Sequence, residues 1–337
     1  MAAAVVLRQF GLGNLRLEAF QRAEPVGPGQ VRVAIRTVSL NYRDLLVIRG
    51  TYCPGLQLPL IPLSDAAGFV TEVGDGVDGL QPGDRVVTHT VPDWGEGPLL
   101  PAMRLTTLGG PAQGVLCSEQ VLPGRAVLRL PDSITFEAAA CLPTAGLASW
   151  SAFRRECRVG PGTTLLLQGT GGVAMMGLAI GKALGARVAI TSSSAAKLLR
   201  ATELGADLVV DRHDPEWSAQ VREWSDGGVD VMLDIGGAPT LDAEIRAVRE
   251  GGTILALGVL AHHSRLVDFA EIVIRRIRVQ GIFLGSRIQF ADLIDFVATH
   301  KIEPVIDVIY NGLDAARHAI ADFASGGHVG KVVIRHG

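Results

Sequence analysis

Gly169-Thr170-Gly171-Gly172-Val173-Ala174 decides the fold of this chain, because of what flanks it. Ahead of it, Thr163 to Gln168 is a short apolar run that reads as a buried strand. Behind it, Met175 to Leu184 is rich in Ala, Met, Leu and Gly, and Gly185 is placed like a helix terminator. A second strand-like run follows at Arg187 to Thr191. In that setting a G-x-G-x-x-A turn lets backbone approach a pyrophosphate and points a helix N-terminus at it. The spacing predicts a dinucleotide site on Gly169, Gly171, Gly172 and Val173. The glycines alone would say little in a chain with 41 of them.

The 337 residues suffice for two domains with separate cores. Hydrophobic residues make up 48% and charged residues 19%, which fits a compact protein and excludes extensive disorder. Thirty-one Lys and Arg against 34 Asp and Glu leave a net charge of −3, with no long basic run to favour nucleic acid. Arg275, Arg276 and Arg278 read as the exposed face of a strand. Met1 to Phe10 has no basic segment followed by a long apolar core, and no apolar run approaches the ~20 residues that span a bilayer. Cys53, Cys117, Cys141 and Cys157 are scattered, as reduced thiols of a cytoplasmic protein would be.

The chain changes character near residue 130. Before it, β-like runs at Val31 to Val38, Gly68 to Val73, Asp84 to Thr88 and Val115 to Val121 alternate with turn clusters such as Gly27-Pro28-Gly29. After it, Thr135 to Arg154 is helical in character, with breaks at Pro143 and Gly146. Strands then alternate with helices: Thr164 to Leu167, Arg187 to Thr191, Asp207 to Val210, Val229 to Asp234 and Thr253 to Leu257 are the strands. Such alternation predicts an α/β, doubly wound parallel sheet of Rossmann type beside a β-rich unit. The expected division is 1–130, 131–302 and a tail at 303–337 that returns to the first unit.

Several motifs follow one another in a telling order: Asn41-Tyr42-Arg43-Asp44, Pro62 to Gly68, Pro82-Gly83-Asp84-Arg85-Val86, Leu142-Pro143-Thr144-Ala145-Gly146, Gln168 to Val173, Gly285-Ser286-Arg287 and Gly330-Lys331-Val332-Val333. On these residues the chain resembles the medium-chain dehydrogenase/reductase superfamily. More narrowly it is similar to the zinc-independent branch with quinone oxidoreductases, enoyl reductases and proteins labelled NAD(P)-dependent alcohol dehydrogenases. The resemblance implies a GroES-like catalytic domain, a Rossmann domain, and a homodimer or homotetramer in which Val279 to Leu284 pairs across subunits.

Zinc-dependent relatives place three metal ligands in these motifs. Here those positions are Asn41, Ser64 and Thr144, and neutral amide and hydroxyl groups are poor zinc ligands. Residues 92–115, where a structural-zinc lobe would fall, contain no cysteine. No metal site is expected. His89 has no ligand-spaced partner, and Asp44 reads as structural, packed under the site.

An NAD site usually carries an acid ~20 residues past the glycines. Arg187 to Thr202 has none; instead Ser192-Ser193-Ser194 precede Lys197, and Arg212 follows the next strand. Hydroxyls plus cations suit the 2′-phosphate of NADPH, although the serines could equally cap a helix and Lys197 sit in solvent. Gly236 and Gly258, after the fourth and fifth strands, stand where open α/β sheets bind ligands, or are plain turn glycines. By resemblance Ser286 and Arg287 lie near the cofactor, Thr144 meets the nicotinamide ribose, and Lys331 either approaches the cofactor or is a surface lysine.

Without a Lewis acid, reduction of an activated C=C asks less than reduction of a ketone, since hydride reaches the β-carbon while donors hold the enolate oxygen. Asn41, in the vacated metal position, is the candidate donor, and also a cofactor contact. Tyr52, matching a tyrosine of quinone-reductase relatives, orients substrate, or delivers the proton, or only walls the pocket. The expected activity is NADPH-dependent reduction of a small apolar quinone or α,β-unsaturated carbonyl. A zinc-free alcohol dehydrogenase or ketoreductase, and a low-turnover NADPH-binding protein, are the alternatives. Pro92 to Pro111 reads as a flexible lobe with Trp94 as a lid.

Overall fold

The computed structural model describes residues 2–20, 25–237, 240–258 and 269–336. The chain folds as two compact units, Met1–Leu147 with Gly285–Gly337, and Ala148–Leu284. Residues 131–147 and 285–302 thus pack with the first unit rather than with the parallel sheet to which their sequence was assigned.

In the first unit, β1 (Ala2–Leu7) pairs antiparallel with β2 (Leu15–Phe20). The sheet is organised on β3 (Gln30–Ser39), which pairs antiparallel with β4 (Asp65–Val73) and β6 (Glu119–Pro123). From β4 it continues through β5 (Arg85–Thr88) to β7 (Val127–Arg129). Val31, Val33 and Ile35 alternate into the core, while Arg32 is buried by ion pairs to Glu72 (3.0 Å) and Glu119 (3.5 Å). A side chain at Gly68 would come within 2.0 Å of the Ala34 carbonyl, beside the register shift between Ile35 and Thr37. The β6 strand begins later than the expected run at Val115, because Leu116 and Cys117 meet β1 instead.

Helix α1 (Tyr42–Arg49) starts where Asn41 is extended and stops at Gly50, whose φ of 77° is left-handed. The expected long helix is broken as foreseen at Pro143. It runs as α2 (Phe136–Ala140), a π-helical turn at Leu142–Gly146, α3 (Leu147–Ser151) and a second π turn at Ala152–Glu156.

The second unit is a six-stranded parallel sheet in the order β10-β9-β8-β11-β12-β13, the doubly wound order. Its strands are β8 (Thr164–Gln168), β9 (Arg187–Ser192), β10 (Leu208–Asp211), β11 (Val229–Asp234), β12 (Val248–Ala256) and β13 (Arg278–Gly281). Every residue of β8 is buried, which is why its sequence is continuously apolar instead of alternating. Helices α4 (Gly172–Ala183), α5 (Ala195–Glu203), α6 (Trp217–Trp224), α7 (Leu241–Ala247) and α8 (Phe269–Ile274) connect the strands. Gly177 and Gly181 let α4 lie close on β8, since a Cβ at Gly181 would stand 2.8 Å from Leu165 Cδ1.

The tail carries α9 (Arg287–His300), β14 (Ile306–Asn311), α10 (Ala316–Ser325) and β15 (Lys331–Arg335). β15 pairs antiparallel with β3 and parallel with β14, which returns the tail to the first sheet. Among the described residues no helix is long and apolar enough to cross a membrane.

Candidate active site

Strand register builds the polar centre of the first unit. Ser39 lies opposite Val333 on one side and Asp65 on the other. Two residues further along the same antiparallel register, Asn41 faces Lys331. The Lys331 ammonium donates to Asn41 Oδ1 (2.6 Å) and to the Leu40 carbonyl (2.7 Å). Lys331 is 2% exposed and Asn41 7%. Lys331 is therefore neither a surface lysine nor free to reach a cofactor with the two hydrogens committed here. Asn41 Nδ2 is buried and has no hydrogen-bond partner.

Asp65 is the hub beside them. It accepts from Ser64 Oγ (2.6 Å), Thr144 Oγ1 (2.8 Å) and the Thr144 amide (2.9 Å). Leu63, two residues before it, holds a φ of 68°, strained for a branched residue, and the backbones of Gly109 and Gly114 approach Leu63 too closely to carry any side chain. That kink turns Ser64 and Asp65 inward. The sequence signal was available, an acid opening an otherwise apolar strand, but Asp65 had been given no role. Thr144 is carried on the π turn. With its proton directed at Asp65, its hydroxyl faces a ligand only as an acceptor.

Below this layer Asp44 accepts from the Asn41 amide (2.8 Å) and from Arg43 Nη1 (3.2 Å). Burial pushes its carboxyl up to about 6, with Arg43 opposing and Asp65 adding to the rise. Arg43 also donates to the Gly110 carbonyl (3.1 Å) and lies 4.7 Å above the Tyr52 ring. Tyr52 is thus linked to Asn41 through Arg43 and Asp44.

The donor set is unsuited to a catalytic metal. The first ligand position presents an amide oxygen already bound to an ammonium, and the other two present hydroxyls whose protons go to Asp65. A dication would displace Lys331 and meet a neutral oxygen in its place, so these residues do not fit zinc. Among the described residues no group of three or more His, Cys, Asp or Glu side chains could hold a metal. Cys141, near the cluster, donates its thiol to the Glu137 carbonyl (3.2 Å), and burial pushes it up to about 12. His89 is a core residue: its Nε2 donates to the Gly285 carbonyl (3.1 Å), and burial lowers it to about 4.

In the second unit, Gly169 has a φ of 75°, and a Cβ at Gly169 or Gly171 would meet nothing within 4 Å. The space over the turn is open to a ligand, and Gly171 caps α4, which begins at Gly172 and Val173 with its first amides free of helical partners. Such a cradle fits a pyrophosphate. Register sets Ser192 beside Asp211, and the Arg212 amide donates to the Ser192 carbonyl (2.9 Å). Arg212 and Ser193 are exposed, and Lys197 is partly so. Ser194 stands at the N-cap of α5, yet its side chain makes no capping bond. Asp211 is an acid that counting from the glycine turn passed over; its carboxylate accepts from the His213 amide (2.9 Å).

Five further residues have roles within the protein itself. Gly236 and Gly258 are required by packing: a Cβ at Gly236 would strike the Gln168 side chain (2.7 Å), and one at Gly258 the Ile235 carbonyl (1.8 Å). Ser286 caps α9, accepting from the Gln289 amide. The Arg287 guanidinium is bound to the carbonyls of Arg125 (3.2 Å) and Val127 (2.8 Å). Trp94 is no lid, because it is 4% exposed and its indole donates to the Gly97 carbonyl (3.0 Å).

Residues 27–132 match the family model described as alcohol dehydrogenase GroES-like domain, and residues 172–299 that described as zinc-binding dehydrogenase. The zinc-type alcohol dehydrogenase-like protein C1773.06c of Schizosaccharomyces pombe is 33% identical over 333 residues, 96% of each chain. NADP-dependent alcohol dehydrogenase C 1 of Mycolicibacterium smegmatis is 28% identical over 84% of each. A crystal structure of an NAD-dependent alcohol dehydrogenase superposes with a TM-score of 0.91 at 31% identity, covering 99% of this chain and 100% of that one. With a Rossmann-like parallel sheet and a GroES-like domain, the chain belongs to the medium-chain dehydrogenase/reductase family of alcohol dehydrogenase-like, nicotinamide-dependent oxidoreductases.

Proposed function

We propose that the chain is a zinc-independent, NADPH-dependent reductase that transfers hydride to the C=C of quinones, giving the hydroquinone, or of small apolar α,β-unsaturated carbonyls, giving the saturated carbonyl. One observation carries this: Asn41 Nδ2 is a buried, unpartnered donor in the position where relatives carry a metal ligand. A buried donor left unpaired costs about 1–3 kcal/mol, so it is kept for a ligand that completes it.

When bound, the reduced nicotinamide supplies hydride. Asn41 Nδ2 donates to the substrate's carbonyl oxygen and holds the charge that grows there as the β-carbon is reduced. The proton that completes the product at the α-carbon comes from the Tyr52 phenol, whose ring Arg43 keeps in place. Thr144 Oγ1 accepts from a ribose hydroxyl of the nucleotide. Gly169, Gly171, Gly172 and Val173 cradle the pyrophosphate, while Ser192, Ser193, Lys197 and Arg212 surround the 2′-phosphate. The exposed edge at β13, with Val279 43% and Phe283 38% exposed, supports a homodimer or homotetramer.

The names of the relatives favour alcohol dehydrogenase chemistry, and with the donor set found here the second reading is a zinc-free alcohol dehydrogenase or ketoreductase. Metal-stripped protein incubated with NADPH and 2-cyclohexen-1-one separates the two by the mass of the product. A saturated ketone supports C=C reduction, the allylic alcohol moves the assignment to the ketoreductase, and turnover restored only by added zinc refutes zinc independence. Binding of NADPH without product supports a low-turnover binding protein.

A further inference from the structure

Lys331 is a cation in an unusual setting. It is buried, and both oxygens it touches are formally neutral. An ammonium removed from water costs several kcal/mol, and neutral carbonyls return only part of that, so its placement calls for a use. The Asp44 carboxylate of α1 lies close enough to interact with its charge at longer range, without a direct contact.

An ammonium has three donors and no acceptor. The face of the Asn41 amide that it meets must be oxygen, which turns the NH2 group away from it. The orientation of this amide is thus fixed by chemistry. The same contact draws electron density toward Oδ1 and leaves the Nδ2 hydrogens more positive, the usual strengthening along a hydrogen-bonded chain.

We propose that Lys331 is a positioning residue that orients Asn41 and polarises it, so that a buried ammonium acting through an amide takes the place of a metal ion in activating the substrate's carbonyl oxygen. This rests on Asn41 being the carbonyl donor. The register of β15 against β3 delivers Lys331 to that point, and Gly330 makes the approach possible: its φ is 79°, and a Cβ there would meet the Val305 carbonyl at 2.2 Å. Lys331 never touches the substrate. It acts only through Asn41.

The test uses Lys331→Met, which keeps length and removes charge, and Lys331→Arg, which keeps charge. The chain has three asparagines, Asn14, Asn41 and Asn311, so selective 15N-asparagine labelling gives three side-chain amides, that of Asn41 being identified by its loss in Asn41→Ala. In the ligand-free wild type the Asn41 amide protons resonate downfield of the other two. The shift vanishes in Lys331→Met and largely survives in Lys331→Arg.

The second readout is 4-dimethylaminocinnamaldehyde, an enal whose absorption moves to the red as its carbonyl oxygen is polarised. With NADP+ present it shifts on binding to wild type and not to Lys331→Met, whose affinity for NADPH is unchanged. With an enone substrate kcat falls about tenfold in Lys331→Met while KM stays within about twofold, a split that general destabilisation does not give. An Asn41 amide in wild type that resonates with Asn14 and Asn311 overturns the proposal even if Lys331→Met fails to fold. An equal red shift in folded Lys331→Met overturns it as well. A displaced amide together with no red shift in wild type overturns the carbonyl donor role, and with it the activation of substrate, while leaving the Lys331–Asn41 coupling in place.

Discussion

Thr144 grips Asp65 twice, through its amide nitrogen at 2.9 Å and its hydroxyl at 2.8 Å. This pair joins the π turn to the first residue of β4 and fixes the direction of the Thr144 proton. Thr144→Val removes one donor from a buried carboxylate, and stability is expected to fall by about 1–3 kcal/mol in urea unfolding. Thr144→Ser retains the hydroxyl and most of the stability. If the Thr144 hydroxyl receives a ribose hydroxyl, the valine variant also raises the KM for cofactor.

Gly171 and Gly258 make opposite predictions. A Cβ at Gly171 meets no protein atom, so Gly171→Ala keeps its unfolding midpoint but weakens NADPH binding about tenfold or more by filling the ligand's space. A Cβ at Gly258 would sit 1.8 Å from the Ile235 carbonyl, so Gly258→Ala destabilises the parallel-sheet unit before any binding is measured. Thermal unfolding and fluorescence titration on both variants check this.

Arg212 tests the choice of nucleotide. Arg212→Ala is expected to weaken NADPH about tenfold, the order of one charge-assisted hydrogen bond, and to leave NADH within about twofold. Equal losses for the two nucleotides would remove Arg212 from the phosphate site and bring Asp211, its neighbour opposite Ser192, forward as a ribose ligand.

Glu244 predicts a pH dependence of stability. Burial, reinforced by Asp234, pushes its carboxyl from 4.5 up to about 8. Between those values the folded chain holds a proton that the unfolded chain releases. Its contribution is complete below about 4.5 and is lost as pH rises toward 8, with a slope of at most about 1.4 kcal/mol per pH unit. Urea midpoints of wild type and Glu244→Gln across this range check the sign, the variant losing the slope.

The parallel sheet was legible because its signals are local. The apolar run before Gly169, the turn itself and the helix after it can each be read within a dozen residues, and the parallel, doubly wound character followed from alternation. The site was legible only as residue types. Asn41, Thr144 and Lys331 were identified from their motifs, but that Lys331 faces Asn41 depends on pairing between strands 290 residues apart in the chain, which no local pattern reports. Asp65 carries a local signal, an acid opening an apolar strand, but its bonds to Thr144 on the π turn 79 residues away are not local. Trp94 was misread as a lid because composition marks a loop as exposed without showing which of its side chains the core takes in.

The most direct test of the account places an isotope. Stripped of metal and given NADPH deuterated at the transferable position with 2-cyclohexen-1-one, the protein is predicted to yield cyclohexanone carrying deuterium at the β-carbon. Deuterium on the carbinol carbon of the allylic alcohol would contradict it, showing that hydride goes to the carbonyl and that Asn41 does not serve an enolate.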